Sequence, residues 1–239
     1  MKTKLKALFV LAMTTSYLPA MANVNVFPMR MMLNPQGSGV VHVLSKSTDT
    51  RFMTVDIRRV EHPATAQEKE VKVKMGSADS LVVTPARFAL PAGATQALRI
   101  VNIQPLQKEV SYRVWLNAVP GSSPDLIVPA GSDDVSTAVG IAMSWGVVVN
   151  VPPEHPEVKL VLDTSAQRLV NRGNIHAVVT RVGDCRDSSH CRWTKINKSV
   201  YADESLDIHA ATISGASPKV IKLEYIDPVS QKTVTTSGS

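Results

Sequence analysis

VGIAMSWGVVVNV, residues 139–151, is the run on which the reading of this chain turns. Its odd positions carry Val139, Ile141, Met143, Trp145, Val147, Val149 and Val151. Between them stand Gly140, Ala142, Ser144 and Gly146, then Val148 and Asn150. A period of two is that of a β-strand, whose side chains point to opposite faces in turn. At its full extent such a strand spans roughly 40 Å, well beyond the usual length. Its second half is apolar on both faces, as expected of a buried strand. The first half sets large hydrophobes on one face against small residues on the other. A strand of that kind at a sheet edge offers unpaired backbone groups to a second chain. An ordinary long core strand is the competing reading.

The chain around this run is predicted to be all-β. Residues 24–33 read as a strand interrupted by Pro28, followed by the turn Asn34-Pro35-Gln36-Gly37. Further strands are expected at 40–44, 52–60, 71–75, 80–85, 88–90, 97–103 and 110–119. Residues 120–137 read as a long loop of Pro, Gly, Ser and Asp, and loops of this length tend to be functional or mobile. After the long strand, Pro152, Pro153 and Pro156 make a stiff connector, where the domain boundary is placed. The second half has shorter strands, expected at 159–162, 176–182, 200–201, 206–209 and 219–226. Asn171-Arg172-Gly173-Asn174 reads as a hairpin turn, and residues 165–169 as one helical turn at most. Short strands with Gly and Pro turns argue for β-sandwiches.

The N-terminus reads as a removable export signal over residues 1–22. Lys2, Lys4 and Lys6 precede a short apolar run, and Ala20-Met21-Ala22 supplies a cleavage site. That run is too short to span a bilayer, so no membrane insertion is expected. Removing the three lysines leaves 23 basic against 20 acidic residues, a net charge of +3 instead of +6. With no cluster of basic and aromatic residues, no nucleic-acid partner is expected. The two cysteines, Cys185 and Cys191, read as a disulfide in an exported chain. Zinc would need more ligands than these two and the intervening His190 supply. No metal or cofactor is therefore expected.

The six histidines, His42, His62, His155, His176, His190 and His209, stand singly. None forms an HExxH pair, and there is no GxSxG elbow, phosphate loop or SxxK motif. No catalytic residue is assigned.

Several motifs in order resemble the periplasmic pilus-assembly chaperones of the chaperone–usher family. They are Leu81-Val82-Val83-Thr84-Pro85, Leu90-Pro91-Ala92-Gly93, Leu98-Arg99-Ile100, and Tyr112-Arg113-Val114 ahead of Pro120. The likeness is to the alternate, class 5 (CFA/I-type) branch and covers the whole mature chain. The export signal, the long loop, the prolines after the central strand, and the Asn171–Asn174 turn before the cysteine pair agree with it.

The resemblance implies two immunoglobulin-like sandwiches set at an angle around a cleft, here residues 23–152 and 153–239. It implies a periplasmic chaperone that folds pilus subunits by donor-strand complementation and delivers them to an outer-membrane usher. The lending strand would carry Val139, Ile141, Met143 and Trp145 as anchors. A free edge of this kind is also open to pairing with a second copy. The family holds the subunit's C-terminal carboxylate with basic residues in the cleft. Arg30 corresponds to one of them. The better-known branch has a lysine where this chain has Val148, and Arg113 is taken as the second anchor instead. A guanidinium among apolar neighbours calls for an anion, and a carboxylate accepts two hydrogen bonds from its fork. The reading from another class is a pilin or adhesin-like structural subunit, which would receive a strand.

Overall fold

The computed structural model describes residues 24–77, 80–119, 143–163, 166–187, 190–208 and 220–237. Among these residues every regular element is a strand. The first part holds β1 (Val24–Phe27), β2 (Arg30–Met32), β3 (Ser38–Ser45), β4 (Arg51–Glu61), β5 (Lys69–Lys72), β6 (Val82–Thr84), β7 (Arg87–Leu90), β8 (Thr95–Val101), β9 (Val110–Ala118) and β10 (Ser144–Val151). They form two sheets. One has the order β1-β3-β8-β6; the other has the order β2-β10-β9-β4-β5, with β7 also on β4. The chain changes sheet at Pro28, where a missing N–H would break a ladder in any case.

Alternation decides what fills this sandwich. Val147, Val149 and Val151 of β10 meet Tyr112, Val114 and Leu116 of β9, Val41 and Val43 of β3, and Leu98 and Ile100 of β8 in one buried cluster. Burying each such side chain is worth about 1.5–3 kcal/mol. Every pairing in these two sheets is antiparallel except β2 on β10.

The second sandwich places β11 (Leu160–Asp163), β12 (Arg168–Asn171) and β15 (Ser205–Asp207) in one sheet. The other contains β14 (Cys191–Val200), β13 (Ala177–Cys185), β16 (Val220–Ile226) and β17 (Thr233–Ser237) in that order. Leu169, Val179, Val182, Ile208 and Leu223 form its core. Cys185 and Cys191 face each other across the β13–β14 hairpin and are disulfide-bonded, so both sulfurs are committed to each other and not to zinc.

Three local expectations change. Residues 171–174 do not close a hairpin: β12 and β13 belong to different sheets, and the segment carries the chain between them. Asn171, fully buried, holds that crossing. Its Nδ2 donates to the carbonyls of Ile175 (2.8 Å) and Val200 (2.9 Å), and its Oδ1 accepts from Gly173 N (2.9 Å). Residues 168–171 are a strand instead of the end of a helical turn, and β14 and β17 add ladders where no strand or only the last residue of one was expected.

Candidate functional site

β10 has two edges and they are treated differently. Along one, β9 pairs with it over its whole length, from Ser144 to Val151. Along the other, β2 pairs only with Val148–Asn150. That contact is closed at its ends by Val148 N donating to Met29 O (3.0 Å) and Leu33 N donating to Asn150 O (2.9 Å). Residues 144–147 therefore have no strand on that side among the described residues. Because Val148 N and Asn150 O point to the β2 side, the backbone groups of Ser144 and Gly146, at the same parity, point to the open edge.

The predicted anchors divide along this strand. Val139 and Ile141 lie outside the described residues. Met143 is 40% exposed, with its carbonyl accepting from Ala118 N (3.2 Å). Trp145 is half-buried against the core of its own sandwich. Met143 is thus presented at the rim, and Trp145 marks where the strand turns its hydrophobes inward. Phe52 (51% exposed) and Val119 (38%) add apolar surface at the same end of the sheet.

The register sets a row of side chains across the sheet. Arg30 of β2, Val148 of β10, Arg113 of β9, Arg58 of β4 and Lys72 of β5 are successive partners, so they share one face. Arg30 and Arg113 thus flank Val148. Both line a small cleft of about 60 Å³ with Val60, Pro63, Ala64, Glu68 and Ser111 of the first sandwich, and Ser199 and Tyr201 of the second. This space admits more than one water-sized group. A larger cavity of about 780 Å³, bordered by Leu33, Leu106, Val151 and several prolines, has Glu154 as its one charged lining residue, which makes it a poor place for an anion.

The two arginines differ in their surroundings. Arg30 is exposed. Arg113 is three-quarters buried; its Nη2 donates to Glu68 Oε1 (3.1 Å), and its Nε lies 2.9 Å from Glu70 Oε1. The second contact is an ion pair without an aligned hydrogen bond, since Arg113 Nε has no hydrogen-bond partner among the described residues. Glu70 also accepts from the Trp115 indole (2.9 Å) and lies 3.4 Å from Arg58 Nη1. Gly146 makes room for this arrangement: a Cβ there would lie 3.1 Å from Arg113 Cδ and from the Trp115 ring.

Beneath the cleft a buried polar chain joins the two sandwiches, and nothing in the sequence reading singled it out. Ser111 Oγ donates to Asn150 Oδ1 (2.9 Å), and Asn150 Nδ2 donates to the Tyr201 hydroxyl (3.3 Å). The Tyr201 ring stacks on His176 at 4.9 Å, and His176 Nδ1 sits 2.7 Å from Glu109 Oε1. The His176 amide donates to the same carboxylate (2.7 Å). Burial pushes the Tyr201 phenol above its ordinary pKa, partly offset by the hydrogen bond with Asn150. One signal was legible: Asn150 is a lone amide inside an otherwise apolar run, and a buried amide needs partners. Its partners are 39 and 51 residues away and could not be read locally.

No family model matches the chain. It is 26% identical over 208 residues to a CFA/I fimbrial subunit of Escherichia coli, covering 84% of this chain and 86% of that protein. A CS1 fimbrial subunit of Escherichia coli is 24% identical over 195 residues, with 79% and 81% covered. Among solved structures, the class 5 fimbriae chaperone CfaA superposes with a TM-score of 0.73 at 22% identity, over 91% of this chain and 99% of that one. A chain from a chaperone–tip adhesin complex of CFA/I fimbriae biogenesis gives 0.70 at 24%, over 90% and 98%. The Escherichia coli chaperone DraB gives 0.52 at 16%, over 90% and 95%. The chain therefore has the fold of these chaperones, built from immunoglobulin-like sandwiches.

Proposed function

We propose that this protein is a periplasmic chaperone for fimbrial subunits, which it holds by lending a strand and passes to an outer-membrane usher. The observation that carries the reading is the half-paired β10: one edge is filled by β9, and the other has no strand over residues 144–147 among the described residues, beside an exposed Met143. A subunit's strand would add to that edge through main-chain hydrogen bonds. The alternating Val139, Ile141 and Met143 would fill apolar sites on it, with Trp145 at the inner end. Each side chain buried contributes about 1.5–3 kcal/mol before ordering costs.

The same geometry gives the added strand a direction. β2 occupies the edge from Val148 onward and begins at Arg30. An incoming strand must stop there. If it runs parallel to β10, as β2 does, its last residue arrives beside Arg30, with Arg113 on the far side of Val148. We assign these two as anchors for the terminal carboxylate, Arg30 supplying an exposed charge at the rim. We put the division between the sandwiches at the proline-rich segment after Val151, on the strength of Pro152, Pro153 and Pro156.

The relatives named as fimbrial subunits favour a second reading, a structural subunit of a surface fibre. Such a subunit would lack a strand, whereas here the first sandwich contains its own β10 seated between β9 and β2. Purified alone, a chaperone stays soluble, as monomers or as pairs that cover the free edge; a subunit polymerises or aggregates. The direct test is co-expression with a fimbrial subunit. Ile141→Lys with Met143→Lys is expected to abolish subunit recovery while leaving the melting profile intact. Normal recovery would reject the lent strand.

A further inference from the structure

The Arg113 fork is occupied before any partner arrives, and its two acidic neighbours are held very differently. Glu70 belongs to β5, is 22% exposed, and is fixed by the Trp115 indole and Arg58 as well as by Arg113. Glu68 lies outside any strand, at the end of the segment between β4 and β5. It is 36% exposed, and its Oε2 accepts from Ala64 N (2.8 Å) while its Oε1 takes Arg113 Nη2. Pro63, Ala64 and Glu68 of that segment line the cleft directly. His62, at its start, reaches across to Glu204 of the second sandwich at 2.9 Å.

We infer that Glu68 is a built-in placeholder, holding Arg113 in the free protein and yielding the guanidinium to the partner's terminal carboxylate. This rests on the proposed anchor role of Arg113. With Glu68 on Nη2 and Glu70 beside Nε, a third carboxylate has to compete for the same guanidinium unless one acid leaves. Glu70 has three anchoring partners and stays; Glu68 is tethered by one backbone amide and one exchangeable ion pair. Stray anions in solution are thereby kept off Arg113. A carboxylate delivered by a strand already seated on the β10 edge arrives at high effective concentration and can displace Glu68. The cleft then answers only to a partner that satisfies edge and anchor together.

The test uses Glu68→Gln, whose amide oxygen can still accept from Ala64 N but carries no charge. Wild-type and E68Q proteins, carrying distinguishable tags, are co-expressed in competition for a limiting fimbrial subunit. The subunit is supplied either with its natural C-terminus or extended by two glycines, which moves the carboxylate away. E68Q is expected to capture about three- to tenfold more of the natural subunit than wild type, and no more of the extended one. Capture of the natural subunit by E68Q at no more than the wild-type level would overturn the placeholder. The anchor reading fails separately, if wild type and Arg113→Ala capture natural and extended subunits equally well.

Discussion

Replacing Asn150 by Val tests whether the polar chain under the cleft couples the two sandwiches. Asn150 is 2% exposed, on the strand whose open end is assigned to the partner. Valine keeps most of the volume and suits a strand but removes both amide groups. Ser111, 4% exposed, loses its acceptor, and the Tyr201 hydroxyl loses its donor. A buried hydroxyl left unpaired costs about 1–3 kcal/mol. The net loss is expected at about 2 kcal/mol, or about 4–8 °C in melting midpoint for a chain of this size. Thermal unfolding of the mature protein followed by circular dichroism measures it. A double-mutant cycle with Tyr201→Phe isolates the pair, with an expected coupling of about 1 kcal/mol. An unchanged midpoint in Asn150→Val, or strict additivity with Tyr201→Phe, would mean that this polar chain does not couple the sandwiches.

Further outcomes follow from the same contacts. Gly173→Ala places a Cβ 2.1 Å from Glu157 O and 2.7 Å from Lys159 N, both backbone atoms; urea titration should show a loss of about 3 kcal/mol. Tyr201 has its phenol pKa raised by burial, so the unfolded chain ionises first as pH climbs. Its contribution to stability is complete below the ordinary tyrosine value near 10 and is lost as pH rises through the higher folded value, and Tyr201→Phe should flatten that alkaline decline. Asp227 lies below its usual pKa. Burial pushes it up, but hydrogen bonds from Ser230 and Val229 outweigh that. Its stabilisation is present above the ordinary carboxylate range and lost as pH falls through the folded value, and Asp227→Asn should remove this acid-side dependence in pH-resolved melts. Reducing Cys185–Cys191, or replacing both by Ser, reopens a loop with a sequence separation of 6 and should cost about 2 kcal/mol in denaturant titration.

What the residues disclosed depended on how far their physics reaches. Alternation is local, so β10, β9 and β4 could be read directly from Met143–Val147, Tyr112-Arg113-Val114 and Met53–Ile57. β14 could not, because its run CRWTKINKSV mixes charges into both faces of an edge strand. The Asn171–Asn174 segment has the composition of a hairpin turn, but Asn171 spends its amide on Ile175 and Val200 and turns the chain into the other sheet instead. Arg30 and Arg113 came from the resemblance, and only the register places them either side of Val148. Glu68 sits in a polar stretch with no pattern of its own. Its meaning depends on a guanidinium 45 residues away, and a separation of that size leaves no local trace.

The most direct test of the lent edge is amide hydrogen exchange along β10, measured on the free protein and on its complex with a fimbrial subunit. Ser144 and Gly146 direct their N–H groups to the open side, while Trp145 and Val147 already face β9. Strand addition predicts that exchange at Ser144 and Gly146 slows by orders of magnitude in the complex while Trp145 and Val147 change little. A complex in which Ser144 and Gly146 still exchange at their free rates would contradict the account.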